Sequence, residues 1–305
     1  MCGFNTMENR VSNFDGLAIQ IDGLTKFYGK ARGIEDLSLN VEQGVIHGFL
    51  GPNGAGKTTT IRILVGLLNQ TSGTAFIYGN TPNTVESKRR IGYLPSDFEL
   101  YKHHTVKSYL DYIESLRGKA PLRDQLCELF DVDINKKTAE LSRGNKQKIA
   151  IVQSLMHEPD LLIADEPTTG LDPLMQEEFN KFLKDYVANG HTVFFSSHIL
   201  AEVQEVCDHV SVIKDGTIVS SGSIDELLMK LPKKAVLRIS SDVNPLELAK
   251  TLDVTLGDHK QGKLTVYFNG HSIEFTDKLR SIPEIKDFTI PEPNLEEYFL
   301  SFYRG

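Results

Sequence analysis

Gly51-Pro52-Asn53-Gly54-Ala55-Gly56-Lys57-Thr58 fits the spacing G-x-x-x-x-G-K-[ST]. The apolar run before it, Val45-Ile46-His47-Gly48-Phe49-Leu50, reads as a strand, and Thr60 to Leu68 after it reads as a helix with an apolar face. Glycines at these positions let the backbone curl until successive N–H groups point at one anion, and the helix start adds partial positive charge. The motif therefore predicts a phosphate cradle made by Gly51, Pro52, Asn53, Gly54, Ala55, Gly56, Lys57, Thr58 and Thr59. Lys57 reaches the β- and γ-phosphates of a nucleotide, and the Thr58 hydroxyl meets Mg²⁺. A glycine-rich turn that happens to hold a lysine is the plain alternative, and the strand and helix flanks argue against it.

Outward from the loop, composition narrows the classes. The 305 residues suffice for one large domain and a small one. Lys and Arg number 33 against 41 Asp and Glu, a net charge of −8, so nothing advertises a nucleic-acid partner. Cys2, Cys127 and Cys207 form no C-x-x-C pair, which fits a reducing compartment and argues against a zinc or iron–sulfur site. No apolar run approaches the ~20 residues that cross a bilayer. Met1 to Gly16 is polar and lacks a secretion-signal layout, so a cytosolic polypeptide is expected, reaching any membrane through a partner.

Leu17 to Ile21 and Gly33 to Val41 read as strands of a small sheet. Tyr101 to Phe130 reads mainly as helix, with Val106, Tyr109, Leu110, Ile113 and Leu116 at core spacing. Leu161 to Ala164, Leu174 to Ala188 and Thr192 to Ser196 give strand, helix, strand, a parallel βαβ unit. Lys214-Asp215-Gly216 marks a hairpin turn. Lys230 to Lys234 reads as a linker. Beyond it come strand 235–240, helix 245–252, strands 254–256 and 264–268, helix 272–281 and strand 285–290, with a last helix 295–302. That β-α-β-β-α-β order is ferredoxin-like.

Leu161 to Ala164 runs into Asp165 and Glu166. An apolar strand ending in two acids places charge at a sheet's carboxyl edge, where phosphate loops also open. Asp165 is expected at Mg²⁺, and Glu166 as the group that polarises water for attack on the γ-phosphate. His198, just after Ser196-Ser197, is placed to touch the γ-phosphate, although a lone histidine is as readily a surface residue. Tyr28 offers a stacking face for a base, although a packing tyrosine explains it more simply. Leu141-Ser142-Arg143-Gly144-Asn145-Lys146-Gln147-Lys148 precedes a helix spanning 149–156, so Ser142 and Gly144 mark a second anion site. Two such sites make sense if two chains pair head to tail, each covering the other's nucleotide.

Together these residues resemble the ATP-binding subunit of an ATP-binding cassette (ABC) transporter from about Leu17 to Leu228, with the motifs in the family's order. Tyr28 matches the adenine-stacking loop, Gly51 to Thr59 the Walker A loop, and Leu141 to Lys148 the LSGGQ-type signature. Asp165 and Glu166 match Walker B, Gly170-Leu171-Asp172 the D-loop, and His198 the switch histidine. The resemblance implies an α/β P-loop NTPase (RecA-like) cassette over 17–229, with antiparallel β and helical subdomains, after a tail at 1–16. An α+β ferredoxin-like accessory domain occupies 230–305. It also implies ATP and Mg²⁺ as ligands, a homodimer of ATPase subunits, and a transmembrane permease that holds the chain on the inner face of the cell membrane.

Two positions depart from the pattern. Ile91-Gly92-Tyr93-Leu94-Pro95 is followed by Ser96 where the family has glutamine. Ser96 keeps a hydroxyl for Mg²⁺ or water with a shorter reach, and Asp97 or Glu99 stand near enough in sequence to compensate. Arg143 and Asn145 replace Gly and Gln of the signature, while Ser142 and Gly144 are kept. These variants, with Leu295 to Leu300, look like the ABC-2 branch, whose members mostly export drugs, antibiotics, peptides or polysaccharides. A soluble cassette ATPase acting on ribosomes or nucleic acid is the rival reading; one cassette, no heptad run and negative charge count against it. A monomeric P-loop kinase would leave Leu141 to Lys148 without a purpose.

Overall fold

The computed structural model describes residues 16–229, 231–240, 243–292, 295–296 and 299. The tail before Gly16 and most of the expected helix 295–302 lie outside the described residues. Contacts divide the chain into two compact units, one ending at Gly222 and the other beginning at Ser223.

In the first unit the chain opens with β1 (Leu17–Tyr28) and β2 (Ala31–Glu42), followed by β3 (Ile46–Leu50) and α1 (Lys57–Leu64). Then come β4 (Ser72–Ile77), α2 (Val85–Arg90) and β5 (Ile91–Leu94). Helices α3 (Val106–Arg117), α4 (Arg123–Leu129) and α5 (Arg143–Leu155) precede β6 (Leu161–Asp165). The unit closes with α6 (Pro173–Ala188), β7 (Thr192–Ser197), α7 (Leu200–Val206), β8 (His209–Lys214) and β9 (Thr217–Ser223).

Strands β2, β1 and β4 form an antiparallel sheet with β1 in the middle. Its β1 runs to Tyr28, well beyond the alternation that ends at Ile21. Register shifts between Ile21 and Leu24 break the period of two, so the pattern is lost while the hydrogen bonding continues. The segment 101–130, expected to be mainly helix, holds two helices, α3 and α4. The chain leaves the helix after Arg117 and resumes at Arg123, beyond Pro121, which lacks the N–H a continuous helix needs. Val106, Tyr109 and Leu110 are buried as expected, whereas Leu116 is 65% exposed and does not belong to that face.

The six-stranded sheet has the order β5-β6-β7-β3-β8-β9. Neighbours from β5 through β8 are parallel, so their carboxyl ends share one edge. The strands at its centre read as continuous apolar runs because both faces are covered; β3, β6 and β7 are buried throughout. The register aligns Leu50 with Ser197, Asp165 with Ser196, and Leu94 with Ala164. Segments distant in sequence therefore emerge side by side. One apolar cluster spans both sheets and α1, including Ile19, Leu24, Ile34, Phe49, Ile61 and Phe194.

The second unit contains α8 (Ile224–Met229), β10 (Lys233–Ile239), α9 (Pro245–Leu252), β11 (Thr255–Lys260), β12 (Lys263–Phe268), α10 (Ser272–Arg280) and β13 (Ile285–Thr289). Its sheet order is β11-β12-β10-β13 with antiparallel neighbours. Leu237, Leu248, Leu252, Val266, Phe275 and Leu279 lie in its separate core, where the Phe268 and Phe275 rings stack 3.8 Å apart.

Candidate nucleotide site

The loop between β3 and α1 is shaped by contacts that admit no side chain at two of its glycines. A Cβ on Gly51 would lie 2.4 Å from the Ile213 carbonyl oxygen. At Gly56, φ is 111°, and a Cβ would lie 2.5 Å from Ile34 Cγ2. The Gly51 N–H donates to the Ser197 carbonyl (3.2 Å), and the Gly216 N–H donates to the Ala55 carbonyl (3.0 Å). Pro52, Asn53 and Gly54 form the exposed lip, while Ala55 packs inward. Helix α1 has no side-chain cap and no acid in its first turn, which leaves its first N–H groups for an anion.

Lys57 is buried at 5% exposure, and its Nζ donates to the carbonyls of Gly51 (2.6 Å) and Pro52 (3.2 Å). It stands 3.7 Å from Glu166 Oε1. Burial lowers the pKa of this ammonium, and the carboxylates of Glu166 and Asp165 push it back up. Thr58 Oγ1 donates to Asp165 Oδ2 at 2.7 Å, and Ser196 Oγ donates to Asp165 Oδ1 at 2.5 Å. Asp165 is 1% exposed, so both carboxylate oxygens need the partners they have.

Glu166 has φ of 52°, a left-handed conformation costing a non-glycine residue about 1–2 kcal/mol. Its N–H donates to the carbonyl and to Oγ of Ser196, at 3.1 and 3.2 Å. These bonds hold the turn that aims its carboxylate at the loop. His198 Nδ1 lies 3.2 Å from Glu166 Oε1. Thus Lys57, Thr58, Asp165, Glu166 and His198, taken from three separate stretches, meet at one sheet edge.

Tyr28 also reaches this edge. It is half-exposed, its hydroxyl is 3.4 Å from Thr59 Oγ1, and Lys26 Nζ sits 5.5 Å from its ring centre. Its half-exposed ring is thereby held beside the phosphate loop. Ser96 is half-buried two residues beyond β5, in line with the acids after β6. It shares no hydrogen bond with Thr58 or Asp165 among the described residues. Asp97 is exposed, and Glu99 pairs instead with Lys146 on α5 at 3.3 Å. Ser142 caps α5, its side chain accepting from the Asn145 N–H at 3.3 Å, so α5 begins at Arg143, six residues before its apolar run. Gly144 faces the D-loop, where a Cβ would lie 2.9 Å from the Gly170 carbonyl oxygen. Neither Ser142 nor Gly144 shares a hydrogen bond with Gly51–Thr59 of its own chain among the described residues.

Sequence reading passed over several polar residues around the acids. Ser196 was legible only as a strand end, yet it bonds both Asp165 and Glu166. Gln147 Nε2 donates to the Pro167 carbonyl at 2.7 Å, tying α5 to the turn after Glu166. Glu202 accepts from Thr168 and Ser197. Strand register, which pairs Asp165 with Ser196, is the signal for Ser196; Gln147 and Glu202 are brought to the acids by the packing of α5 and α7.

Comparison with known proteins agrees with this architecture. The ABC transporter family model matches residues 34–169. Over 308 aligned residues the chain is 33% identical to the bacitracin transport ATP-binding protein BcrA of Bacillus licheniformis, covering 94% of this chain and 97% of that one. It is 32% identical to the uncharacterized ABC transporter ATP-binding protein YhaQ of Bacillus subtilis (strain 168), covering 92% and 97%. Among solved structures, an ATP-binding subunit of an ABC transporter matches with a TM-score of 0.65 at 28% identity, covering 69% of this chain and 91% of that one. A dimeric ATP-binding cassette, MJ0796, bound to ADP and Pi shares the fold at a TM-score of 0.62 and 23% identity, covering 68% and 98%. The chain belongs to the ATP-binding proteins of ABC transporters, the ATPases that power a membrane transporter.

Proposed function

We propose that this ATPase works as a homodimer that sandwiches two ATP molecules and drives an ABC-2 type exporter from the inner face of the cell membrane. The observation that carries it is the meeting of Lys57, Thr58, Asp165, Glu166 and His198 at one edge, while Ser142 and Gly144 share no hydrogen bond with that loop of their own chain among the described residues. Those two residues then complete the site of a second copy. We read residues 17–229 as the cassette, with contacts grouping its last segment, α8, with the second unit, and 230–305 as an accessory domain of ferredoxin-like strand order.

The donor set fits magnesium. Thr58 and Asp165 supply a hydroxyl and a carboxylate 2.7 Å apart, which are hard oxygen ligands. No group of three or more His, Cys, Asp or Glu side chains holds a metal by itself among the described residues. The remaining ligands then come from phosphate and water, as Mg²⁺ prefers. Magnesium supplies neutralisation of charge on the β- and γ-oxygens. Lys57 exchanges its bonds to the loop carbonyls for phosphate oxygens, Glu166 takes a proton from the attacking water, and His198 contacts the γ-phosphate. Tyr28 stacks on the adenine, and Ser96 meets the metal or a water bound to it. Exposed Tyr101 and Tyr112, whose ring centres lie 6.4 Å apart, offer an aromatic surface to a permease. Export rests on the likeness to BcrA, a bacitracin transport protein.

Glu166→Gln tests the reading. The variant is expected to bind Mg-ATP, to lose turnover, and to run as a dimer in light scattering; full activity removes the base assignment, and a persistent monomer removes the sandwich. Co-purification with an integral membrane protein supports transport, whereas recovery of ribosomes or nucleic acid supports the rival class.

A further inference from the structure

The ladder between β6 and β7 ends at the pair Asp165–Ser196. Glu166 follows Asp165 directly, and His198 is two residues past Ser196, so the ladder pairs neither side chain with the other. The Glu166 N–H is still held by Ser196; beyond it, the Glu202 carboxylate joins the two segments. Its Oε1 accepts from Thr168 Oγ1 at 2.8 Å, and its Oε2 accepts from Ser197 Oγ at 2.9 Å. Thr168 lies two residues after Glu166, and Ser197 immediately precedes His198. Thr168 and Ser197 are buried, at 6% and 2% exposure. Ser197 Oγ also accepts from the Ile199 N–H at 2.9 Å, so the bridge grips the backbone on both sides of His198. Glu202 itself sits on α7, anchored by the buried Val203 and Val206. A Cβ on Gly48 of β3 would come 2.8 Å from Val203 Cγ1, so the helix is seated directly on the central sheet.

We propose that Glu202 is a positioning residue for ATP hydrolysis. Its carboxylate joins the turn after Glu166 to the segment bearing His198, and so sets the 3.2 Å separation of Glu166 Oε1 and His198 Nδ1. The inference rests on the hydrolytic roles assigned above to Glu166 and His198. A side chain truncated at position 202 frees the hydroxyls of these two buried residues and lets the segments drift. A drift near 1 Å at reacting groups costs about a hundredfold in rate without weakening phosphate binding. Glutamine preserves the bridge, because its amide oxygen accepts from one hydroxyl and its NH2 donates to the other.

The test is steady-state ATP hydrolysis by the full chain with Glu202→Ala, Glu202→Gln, His198→Ala and the Glu202→Ala/His198→Ala double variant. Glu202→Ala is expected to lower kcat roughly tenfold to a hundredfold, with KM for ATP changed by no more than about twofold. Glu202→Gln is expected to recover most of that loss. The double variant is expected to lose no more than His198→Ala alone, because both changes act through the same contact. Thr168→Val, which removes one bond of the bridge and leaves Glu202 in place, is expected to lower kcat by roughly threefold or more at unchanged KM. It carries the test if Glu202→Ala does not fold. Parental kcat in Glu202→Ala or Thr168→Val, equal damage from Gln and Ala, or multiplied losses in the double variant would overturn the proposal. Parental kcat in His198→Ala overturns the role of His198 and the inference with it. An impaired His198→Ala beside a normal Glu202→Ala overturns the inference alone.

Discussion

Thr58 Oγ1 donates a 2.7 Å hydrogen bond to Asp165 Oδ2, joining residues 107 positions apart in the chain. One comes from the first turn of α1 and the other from the last position of β6. The bond exists because β6 and β3 flank β7 in a parallel sheet, so both segments open at the same edge. Hydroxyl and carboxylate stand close enough to share one cation between them.

Asp165→Ala is therefore expected to lower kcat by roughly a hundredfold or more, since a metal that neutralises phosphate charge is worth several kcal/mol. Magnesium titration of the ATPase rate checks this. An unchanged magnesium requirement at near-parental rate would remove Asp165 from the metal site.

Lys57 is a buried ammonium whose burial outweighs the attraction of the nearby carboxylates. Lys57→Met should leave the melting temperature of the ATP-free protein equal or higher, because the desolvated charge is gone. The same variant should lose the rise in melting temperature that ATP gives the parent, since stabilisation by a ligand follows its affinity. Loss of affinity by about tenfold corresponds to 1.4 kcal/mol. Thermal scans with and without ATP read both effects, and an undiminished ATP shift contradicts the phosphate assignment.

Gly51→Ala places a methyl 2.4 Å from the Ile213 carbonyl oxygen, backbone that belongs to β8. Overpacking of that kind costs about 1–3 kcal/mol. Gly54→Ala meets no atom within 4 Å, although φ is 81° there, so its cost is confined to the left-handed backbone, about 1–2 kcal/mol. Urea denaturation of the two variants should rank Gly51→Ala as the less stable. The reverse order would mean that the loop is not wedged against β8.

His47 is buried beside His209, its ring centre 6.2 Å away, and its Nε2 is 2.8 Å from Ser211 Oγ. Burial first, and the neighbouring His209 second, lower its pKa from 6.5 to about 3. The folded state thus keeps the imidazole neutral where the unfolded chain binds a proton. Stability is complete above pH 6.5 and declines as the pH falls towards 3, by about 2 kcal/mol at pH 5. His47→Gln should flatten that part of the profile, as urea unfolding at pH 7.5 and 5 would show. An equal acid loss in the variant would assign the effect to other groups.

The identity of the site was legible in the sequence because it is carried by local constraints. Gly51 to Thr58 can be recognised without a fold, since eight consecutive residues make their own turn and helix start. Asp165 and Glu166 declare themselves at the end of an apolar run, and Ser142 by its place before a helix. The full length of β1 was not legible, because a bulge destroys the alternation while the sheet supplies its hydrogen bonds from β2 and β4. Leu116 fell outside the buried face because only tertiary packing decides how far along α3 neighbours reach.

By itself, then, the sequence determined that the chain grips phosphate with one loop and carries acids suited to a metal and a water. It also placed a second helix start that the same loop has no use for. Only the tertiary structure decided that Ser196 bonds Asp165 and Glu166, that Glu99 is engaged by Lys146, and that Glu202 bridges Thr168 and Ser197. Those pairings depend on strand order, register and helix packing, which bring residues from distant parts of the chain to one edge. No short-range pattern encodes them, because each partner satisfies its own local rules wherever the other lies.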